Sequence, residues 1–271
     1  MNERSRSSIV DIASDRVSRT ARTVTQRAIP AETPVAMTYN SNTYAVMMAS
    51  PCDLEDFAVG FSLSERIIKN AKEITELEIV TLDRGIELRM SLAESRRDEL
   101  ESRRRKLAGP AGCGLCGIES LDAAVAMPQP VSVDLKVAPE TIFRALESLQ
   151  MHQQMNTRTR AVHGAGYWRL AENRFIAVCE DVGRHNALDK LIGSLGRRGL
   201  DAANGFIIMT SRISIELVQK AVSAGCPLLI AVSVPTAFAV EAAEKLNLTM
   251  VAVARNDAFE IFTHPHRISD A

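Results

Sequence analysis

Two cysteines in a glycine-rich stretch are the residues of this chain whose types and spacing most directly suggest chemistry. Cys113 and Cys116 are two residues apart within Gly112–Gly117. The glycines leave the thiols accessible and allow another backbone to approach closely. The basic run Arg103–Lys106 precedes them, and a helix predicted over Ile118–Met127 follows them. Both features favour the thiolate, which is the nucleophilic form of cysteine, so the stretch predicts chemistry at sulfur.

Three other functions of this stretch are disfavoured by its context. A structural zinc site needs four ligands, and the chain has no second Cys-x-x-Cys pair, so we predict no bound metal and no zinc. A dinucleotide fingerprint needs a preceding apolar strand, whereas residues 103–110 are basic and end in proline. A zinc deaminase has its histidine before the cysteines, whereas His163 follows them. A dithiol–disulfide couple and a persulfide carrier both remain open.

Polar side chains follow four predicted strands in the second half of the chain. In an open α/β sheet, ligands bind at the carboxyl ends of strands, where helix N-termini also favour anions. Arginines among these residues therefore predict a site for a phosphorylated ligand, and His163 and His185 lie beside glycines in the same region. Helix capping by the hydroxyls and a surface Asp181–Arg184 ion pair are the alternatives. The polar residues fall within Glu180–Asn186, Thr210–Ser214, Ser233–Thr236 and Arg255–Asp257.

Hydrophobic periodicity gives the elements that position these residues. In the first half we predict strands over Pro34–Tyr39, Thr43–Ala49, Glu76–Thr81 and Ile86–Met90, and a helix over Leu54–Ile68 capped by Asp53. In the second half we predict strands over Gly166–Ala171, Phe175–Cys179, Gly205–Met209, Leu228–Val232, Thr249–Ala254 and Phe259–Phe262. Helices are predicted there over Glu140–Met151, Asn186–Leu195, Ile215–Ala224 and Ala237–Leu246. This alternation predicts an α/β core with helices on a mostly parallel sheet.

Four segments follow from these elements and from local composition. Residues 1–28, rich in Ser and Arg, are predicted to be a disordered tail. The remaining segments are a smaller N-terminal α+β subdomain over 29–106, a mobile Cys-x-x-Cys loop with a short helix over 107–130, and the α/β core over 131–268.

The length, charge and cysteine content of the chain limit the classes of protein to which it can belong. The chain has 271 residues, is 46% apolar and carries a net charge of −1, which gives no indication of nucleic-acid binding. Five cysteines, three of them scattered, do not make a disulfide framework and fit a reducing compartment. We find neither a long apolar run nor a secretory signal, so we predict a soluble cytoplasmic protein without membrane contact.

Several motifs together resemble a known family, the formate dehydrogenase accessory sulfurtransferases of the FdhD/NarQ type. The resemblance runs from about Pro34 to Arg267. Its motifs are Gly112–Gly117, Glu180–Lys190, Arg212-x-Ser214-x-Glu216 and Pro235-Thr236.

The resemblance implies a cytidine-deaminase-like core and a homodimer. It implies that Cys113 takes persulfide sulfur from a cysteine desulfurase, with Cys116 assisting. The sulfur then passes to the molybdenum of a bis-molybdopterin guanine dinucleotide cofactor before that cofactor enters formate dehydrogenase. The implied cofactor contacts are Val253, Ala254, Arg255, Asn256, Asp257 and Ala258, to which the strand-end argument adds Arg212, His163 and His185. The alternatives are a cofactor-binding chaperone without sulfur transfer and a dithiol oxidoreductase.

Overall fold

The computed structural model describes residues 7–96 and 127–269 of the chain. Cys113, Cys116 and the basic run Arg103–Lys106 lie outside the described residues, as does all but the last residue of the helix predicted over Ile118–Met127. The described part contains three β-sheets and six α-helices.

Residues 9–30 form a β-hairpin, which contradicts the disordered tail predicted for this part of residues 1–28. Strand β1 (Ile9–Val17) pairs antiparallel with β2 (Arg22–Pro30) along the full length of both strands. Most of its residues are exposed. Its Ile, Val and Thr residues favour extended backbone, a propensity that the Ser- and Arg-rich composition concealed.

A four-stranded sheet forms the next layer, with the strand order β4-β3-β6-β5. Its strands are β3 (Thr33–Tyr39), β4 (Asn42–Ala49), β5 (Ile74–Leu82) and β6 (Gly85–Leu92), which confirm the four predicted strands. Helix α1 (Leu54–Ser64) packs on this sheet through the fully buried Phe57.

The predicted start of α1 at Leu54 is confirmed, whereas the predicted capping hydrogen bond and the predicted end of the helix are wrong. Asp53 has left-handed backbone, with a φ of 50°, and makes no side-chain cap hydrogen bond. The helix ends at Ser64 instead of Ile68, because Arg66 has a φ of 55°, which helical backbone does not allow.

The larger sheet has six strands in the order β12-β11-β10-β9-β7-β8. Only β9, β10 and β11 pair in parallel, whereas β7 and β12 run antiparallel to their neighbours, so the predicted mostly parallel sheet is wrong and the sheet is mixed. Hydrophobic periodicity reports burial and carries no strand direction. The strands are β7 (His163–Arg169), β8 (Arg174–Asp181), β9 (Gly205–Met209), β10 (Leu228–Ala231), β11 (Thr249–Ala252) and β12 (Glu260–Thr263).

Helices cover both faces of this sheet, as predicted for an α/β core. One face buries a cluster shared with α4 (Arg184–Arg197), α5 (Ile215–Ser223) and α6 (Ala237–Lys245). The other face packs against α2 (Pro139–Leu149), and the short α3 (Gln154–Thr159) leads into β7. The finer cytidine-deaminase-like description stays a prediction.

Two glycines bring α1 and α4 into backbone contact. A Cβ atom on Gly60 would lie 1.7 Å from the carbonyl oxygen of Asp189, and one on Gly193 would lie 1.8 Å from that of Asp56. No side chain fits at either position. This contact joins the four-stranded sheet and its helix to the helical layer of the larger sheet.

Candidate functional site

The sheet topology collects the predicted polar loops at one edge. Strands β8, β9, β10 and β11 run in the same direction, because β8 and β9 are both antiparallel to β7. His163, the first residue of β7, pairs with Asp181, the last residue of β8, and so lies at that edge as well. We call this edge the strand-end site; it consists of His163–Gly164, Glu180–His185, Thr210–Glu216, Val232–Thr236 and Val253–Ala258.

Hydrogen bonds connect neighbouring loops of the strand-end site. The hydroxyl of Thr210 accepts a 2.8 Å hydrogen bond from the backbone N–H of Gly164. The N–H of Val253 donates to the carbonyl of Ser233 at 3.2 Å. Among the predicted capping residues, Thr236 accepts from Ala239 N at the start of α6. A further hydrogen bond, from Thr236 N to the carbonyl of Ile213 at 3.0 Å, connects these two pairs of loops along the carboxyl ends of the strands.

A buried ion pair fixes the loop after β8. Asp181 and Lys190 are both fully buried, with 2.7 Å between carboxylate oxygen and Nζ. Asp181 also accepts from the backbone N–H of Ser50, at 2.9 Å, and of Gly183, at 2.8 Å. The alternative prediction, a surface ion pair between Asp181 and Arg184, is therefore wrong, because Asp181 is buried and pairs with Lys190. The buried pair attaches the end of the four-stranded sheet to the strand-end site.

Two arginines provide positive charge around His163. Burial lowers the pKa of His163, the charges of Arg184 and Arg212 lower it further, and Asp181 opposes this in part. Arg212 is exposed, whereas Arg184 is half-buried at the first position of α4. This positive region at a helix start suits an anionic ligand.

His185 stands next to Arg184 on the first turn of α4. Burial and the positive charges of Lys220 and Arg184 lower its pKa to about 4, against smaller opposing effects of Glu216 and Asp189. The imidazole is therefore neutral at neutral pH and has one donor and one acceptor nitrogen. It can hydrogen-bond a ligand without adding charge.

The predicted cofactor stretch makes a tight turn beyond β11. Val253 has a φ of 52°, which is an outlier for a β-branched residue and indicates local strain. The N–H of Arg255 donates to the carbonyl of Ala258 at 2.8 Å, and the Arg255 guanidinium donates to the carbonyls of Val232 and Ala254. Arg255, Asn256, Asp257 and Ala258 are exposed along the edge, while Ala254 is buried.

Buried polar atoms without a hydrogen-bond partner among the described residues concentrate at and beside the strand-end site. They include Gln153 Nε2 and Arg184 Nε. Such atoms are rare in folded proteins, because each costs about 1–3 kcal/mol when left unsatisfied. Sequence reasoning did not select Gln153 as a site residue, because a glutamine between two predicted elements resembles a surface residue. In the sequence, Glu216 was identified only as part of the motif Arg212-x-Ser214-x-Glu216.

Three cysteines lie within the described residues, and the pKa of each thiol is raised, which disfavours the nucleophilic thiolate. Burial raises the pKa of the Cys52 thiol to about 11 although Lys190 Nζ lies 3.5 Å from its sulfur. Burial raises the pKa of Cys226 to about 12 and also raises that of Cys179. A thiol with a raised pKa carries little thiolate at neutral pH. The geometry of Cys113 and Cys116 lies outside the described residues.

Residues 7–96 and 127–269 lack both a cluster of metal-ligating side chains and a membrane-spanning helix. No group of three or more His, Cys, Asp or Glu side chains there has an arrangement that could hold a metal ion. No helix in this part of the chain is long and apolar enough to cross a bilayer.

Known proteins resemble this chain over most of its length. The sulfur carrier protein FdhD of Agrobacterium fabrum is 50% identical over 244 residues, which cover 90% of each chain. The protein of the same name from Brucella abortus is 49% identical and covers 90% of this chain and 91% of its own. The crystal structure described as that of a formate dehydrogenase accessory protein from Desulfotalea psychrophila shares the fold. Its TM-score is 0.75 at 24% identity, covering 96% of this chain and 99% of its own.

A family model matches the same part of the chain. The model described as the FdhD/NarQ family matches residues 30–269, a range that includes the Cys-x-x-Cys stretch and every segment of the strand-end site. The match begins at the last residue of the N-terminal hairpin. This chain belongs to the FdhD/NarQ family.

Proposed function

We propose that this chain is a sulfur carrier in the maturation of formate dehydrogenase. It accepts sulfur from a cysteine desulfurase as a persulfide on Cys113, with Cys116 assisting. It then transfers the sulfur to a bis-molybdopterin guanine dinucleotide molybdenum cofactor, which it binds as a substrate. The names of its relatives support sulfur transfer. Location in the cytoplasm and assembly as a homodimer are part of the same proposal.

The observation that carries the ligand-binding half is the positive charge that the strand-end site places around His163. Arg184 Nε is a buried donor without a hydrogen-bond partner among the described residues, and the neutral imidazole of His185 provides an acceptor. Arg184 and Arg212 add positive charge, and α4 and α5 both begin here. Donors, acceptors and positive charge together suit a ligand that has both phosphates and a heteroaromatic base.

The pKa values of the cysteines in the described residues support the sulfur-binding half of the proposal by elimination. The chain has five cysteines, and the three in the described part all have raised pKa values. Cys113 and Cys116 remain as the candidates for the nucleophile. The proposed step is attack of the Cys113 thiolate on the outer sulfur of the donor's persulfide. One S–S bond forms, the donor's S–S bond breaks, and the donor cysteine leaves as a thiolate, so no oxidant or reductant is needed.

Intact mass spectrometry after incubation with a cysteine desulfurase and cysteine tests this step. We expect one added sulfur atom on the wild type, and its loss when Cys113→Ala and Cys116→Ala are combined. Cys52→Ala is the matched control: this half-buried thiol has a raised pKa, so its removal should leave the added sulfur in place. An unmodified wild type, or sulfur retained by the double variant, contradicts the proposal.

A cofactor-binding chaperone without sulfur transfer is the second candidate. It is favoured by Arg184 and Arg212, whose positive charge would hold an anionic ligand without any thiol taking part. In cells that lack this protein, the Cys113→Ala variant restores formate dehydrogenase activity under the chaperone hypothesis. It fails to do so under the sulfur-carrier hypothesis.

A further inference from the structure

One face of the N-terminal hairpin is directed towards the body of the molecule. Successive residues of a strand alternate between the two faces of a β-ribbon, and Asp11 shares its face with Ala28, its partner across the hairpin. The Asp11 carboxylate lies 4.0 Å from the guanidinium of Arg158 in α3, which packs against β2, and Ala28 is half-buried. The other face of the hairpin is therefore directed away from α3.

The outward face of the hairpin is apolar near its base. Val10 pairs with Ile29, and Ile12 shares their face, with relative exposures of 44%, 37% and 47% respectively. We call these three residues the hairpin patch. A sheet with one face on the body of a protein and the other in water commonly carries polar residues on the outer face. The charged residues of this face are Arg16 and Arg27, so the hairpin patch is flanked by an excess of two positive charges.

The four-stranded sheet carries a second exposed apolar patch, on the face that α1 does not cover. Val46 and Met48 of the edge strand β4 are 60% and 47% exposed, whereas Met47 between them packs on the α1 side. We call Val46 and Met48 the sheet patch. Strand register places four charged side chains on the same face, namely Glu76, Glu78, Glu87 and Arg89. The sheet patch is therefore accompanied by an excess of two negative charges.

The hairpin patch and the sheet patch match in polarity and charge, but each is exposed within a single chain. Only Ala31 and Glu32 join the hairpin to β3, and the hairpin packs against α3 instead of folding over the sheet. A second copy of the chain provides the missing surface for each patch. Because every copy has both patches, a two-fold axis allows the hairpin of each subunit to cover the sheet of the other, and the contact closes as a dimer.

The area of this contact is sufficient for a specific dimer. A ribbon of two nine-residue strands is about 30 Å long and about 10 Å wide, so one face presents about 300 Å². Two such contacts, counted on both subunits, bury about 1,200 Å², which is the lower limit for a stable protein–protein interface.

We propose that the N-terminal hairpin is a dimerisation arm, whose hairpin patch packs on the sheet patch of a second copy of this chain. Arg16 and Arg27 then face the acidic side chains of that sheet, and the opposite charges fix the orientation of the two surfaces. The inference rests on the homodimer in the proposed function and names the surfaces that form it. It depends neither on the cysteines nor on the strand-end site.

Sedimentation velocity of the full chain over a range of concentrations tests this pairing. Ile12→Arg places a charge in the hairpin patch and Val46→Arg places one in the sheet patch, and each should weaken dimerisation at least about 10-fold. Val24→Arg is the matched control and should leave dimerisation unchanged, because Val24 is 74% exposed on the opposite face of the hairpin. All three positions are exposed, so circular dichroism should show that the variants keep the wild-type fold.

An equimolar mixture of the Ile12→Arg and Val46→Arg chains provides a second measurement. In a dimer of either variant alone, both contacts are damaged. In the mixed dimer, the intact hairpin of the Val46→Arg chain meets the intact sheet of the Ile12→Arg chain, so one of the two contacts is restored. The mixture should therefore dimerise at a lower concentration than either variant alone.

The outcomes separate this inference from the proposed function. If the wild type is monomeric at every concentration, the proposed homodimer and this inference both fail, while sulfur transfer through Cys113 is decided separately by intact mass. If the wild type dimerises and either patch variant dimerises equally well, only the inference is overturned, because the dimer then uses another surface. Equal weakening by Val24→Arg, or no gain on mixing the two patch variants, overturns it as well.

Discussion

Replacing Lys190 by methionine should strongly destabilise the protein. Lys190 Nζ lies 2.7 Å from the Asp181 carboxylate and donates to the carbonyl of Ser50 at 2.9 Å, and both charged side chains are fully buried. Methionine keeps a similar apolar stem, including its position near the ring of Phe57. What is lost is the positive charge, which leaves Asp181 as an uncompensated buried carboxylate.

The structure sets the size of the effect. Breaking a buried pair by removing one partner costs about 3–5 kcal/mol of unfolding free energy, a large share of the roughly 5–15 kcal/mol typical of a domain. Asp181 keeps three hydrogen bonds, from Ser50 N, Gly183 N and Asn186 Nδ2, which places our expectation near 3 kcal/mol. Adding Asp181→Asn removes the unpaired charge, so the double variant should be less destabilised than the sum of the single variants.

Urea unfolding followed by fluorescence of Trp168, the single and buried tryptophan, measures these free energies. Lys245→Met, at an exposed lysine that ends α6, is the matched control and should change stability by less than about 0.5 kcal/mol. A cost below about 1 kcal/mol for Lys190→Met would refute the reasoning, since a buried pair cannot be lost so cheaply. Strict additivity in the double variant would refute it as well.

Three further predictions concern the helix contact and the strand-end site. Gly193→Ala should lower the free energy of unfolding by about 3 kcal/mol, because its Cβ would overlap a backbone carbonyl of α1. Gly196→Ala, whose Cβ would meet only the end of a leucine side chain, should be nearly neutral, and thermal unfolding compares the two variants. The free energy of unfolding should fall by up to about 3 kcal/mol as the pH is lowered from 6.5 to 4, because the pKa of His185 is about 6.5 in the unfolded chain and about 4 in the folded protein. Denaturant titrations at several pH values should show that His185→Gln lacks this part of the pH dependence. Arg184→Gln should raise the pKa of His163 in an NMR titration, because it removes a positive charge that lowers it, and an unchanged pKa would contradict the assigned proximity.

Most elements of the core could be predicted from the sequence. The strand predicted over Gly205–Met209 is observed with the same bounds, and the other predicted strands and helices of the second half differ only at their ends. Apolar runs and amphipathic periods are local properties, so the sequence carries them directly. The grouping of polar residues after four strands was likewise visible, since it depends only on where each strand ends.

The hairpin and the strand directions could not be predicted in this way. Residues 9–30 form an antiparallel pair although composition indicated disorder, because pairing depends on the match between two segments. Strands β7 and β12 reverse direction without any local signal in the sequence. That reversal has a consequence for the site, since it places His163 at the start of its strand next to the ends of the others.

The sequence by itself determined which residue types are available for chemistry: the Cys113–Cys116 pair, the polar strand ends and the motifs of the FdhD/NarQ family. Tertiary structure alone decided the environment of each side chain. It buried Asp181 against Lys190, lowered the pKa of His185, and left Gln153 Nε2 enclosed without a partner. Burial and electrostatic environment depend on groups far apart in the chain, such as Ser50 and Asp181, which only the folded chain brings into contact.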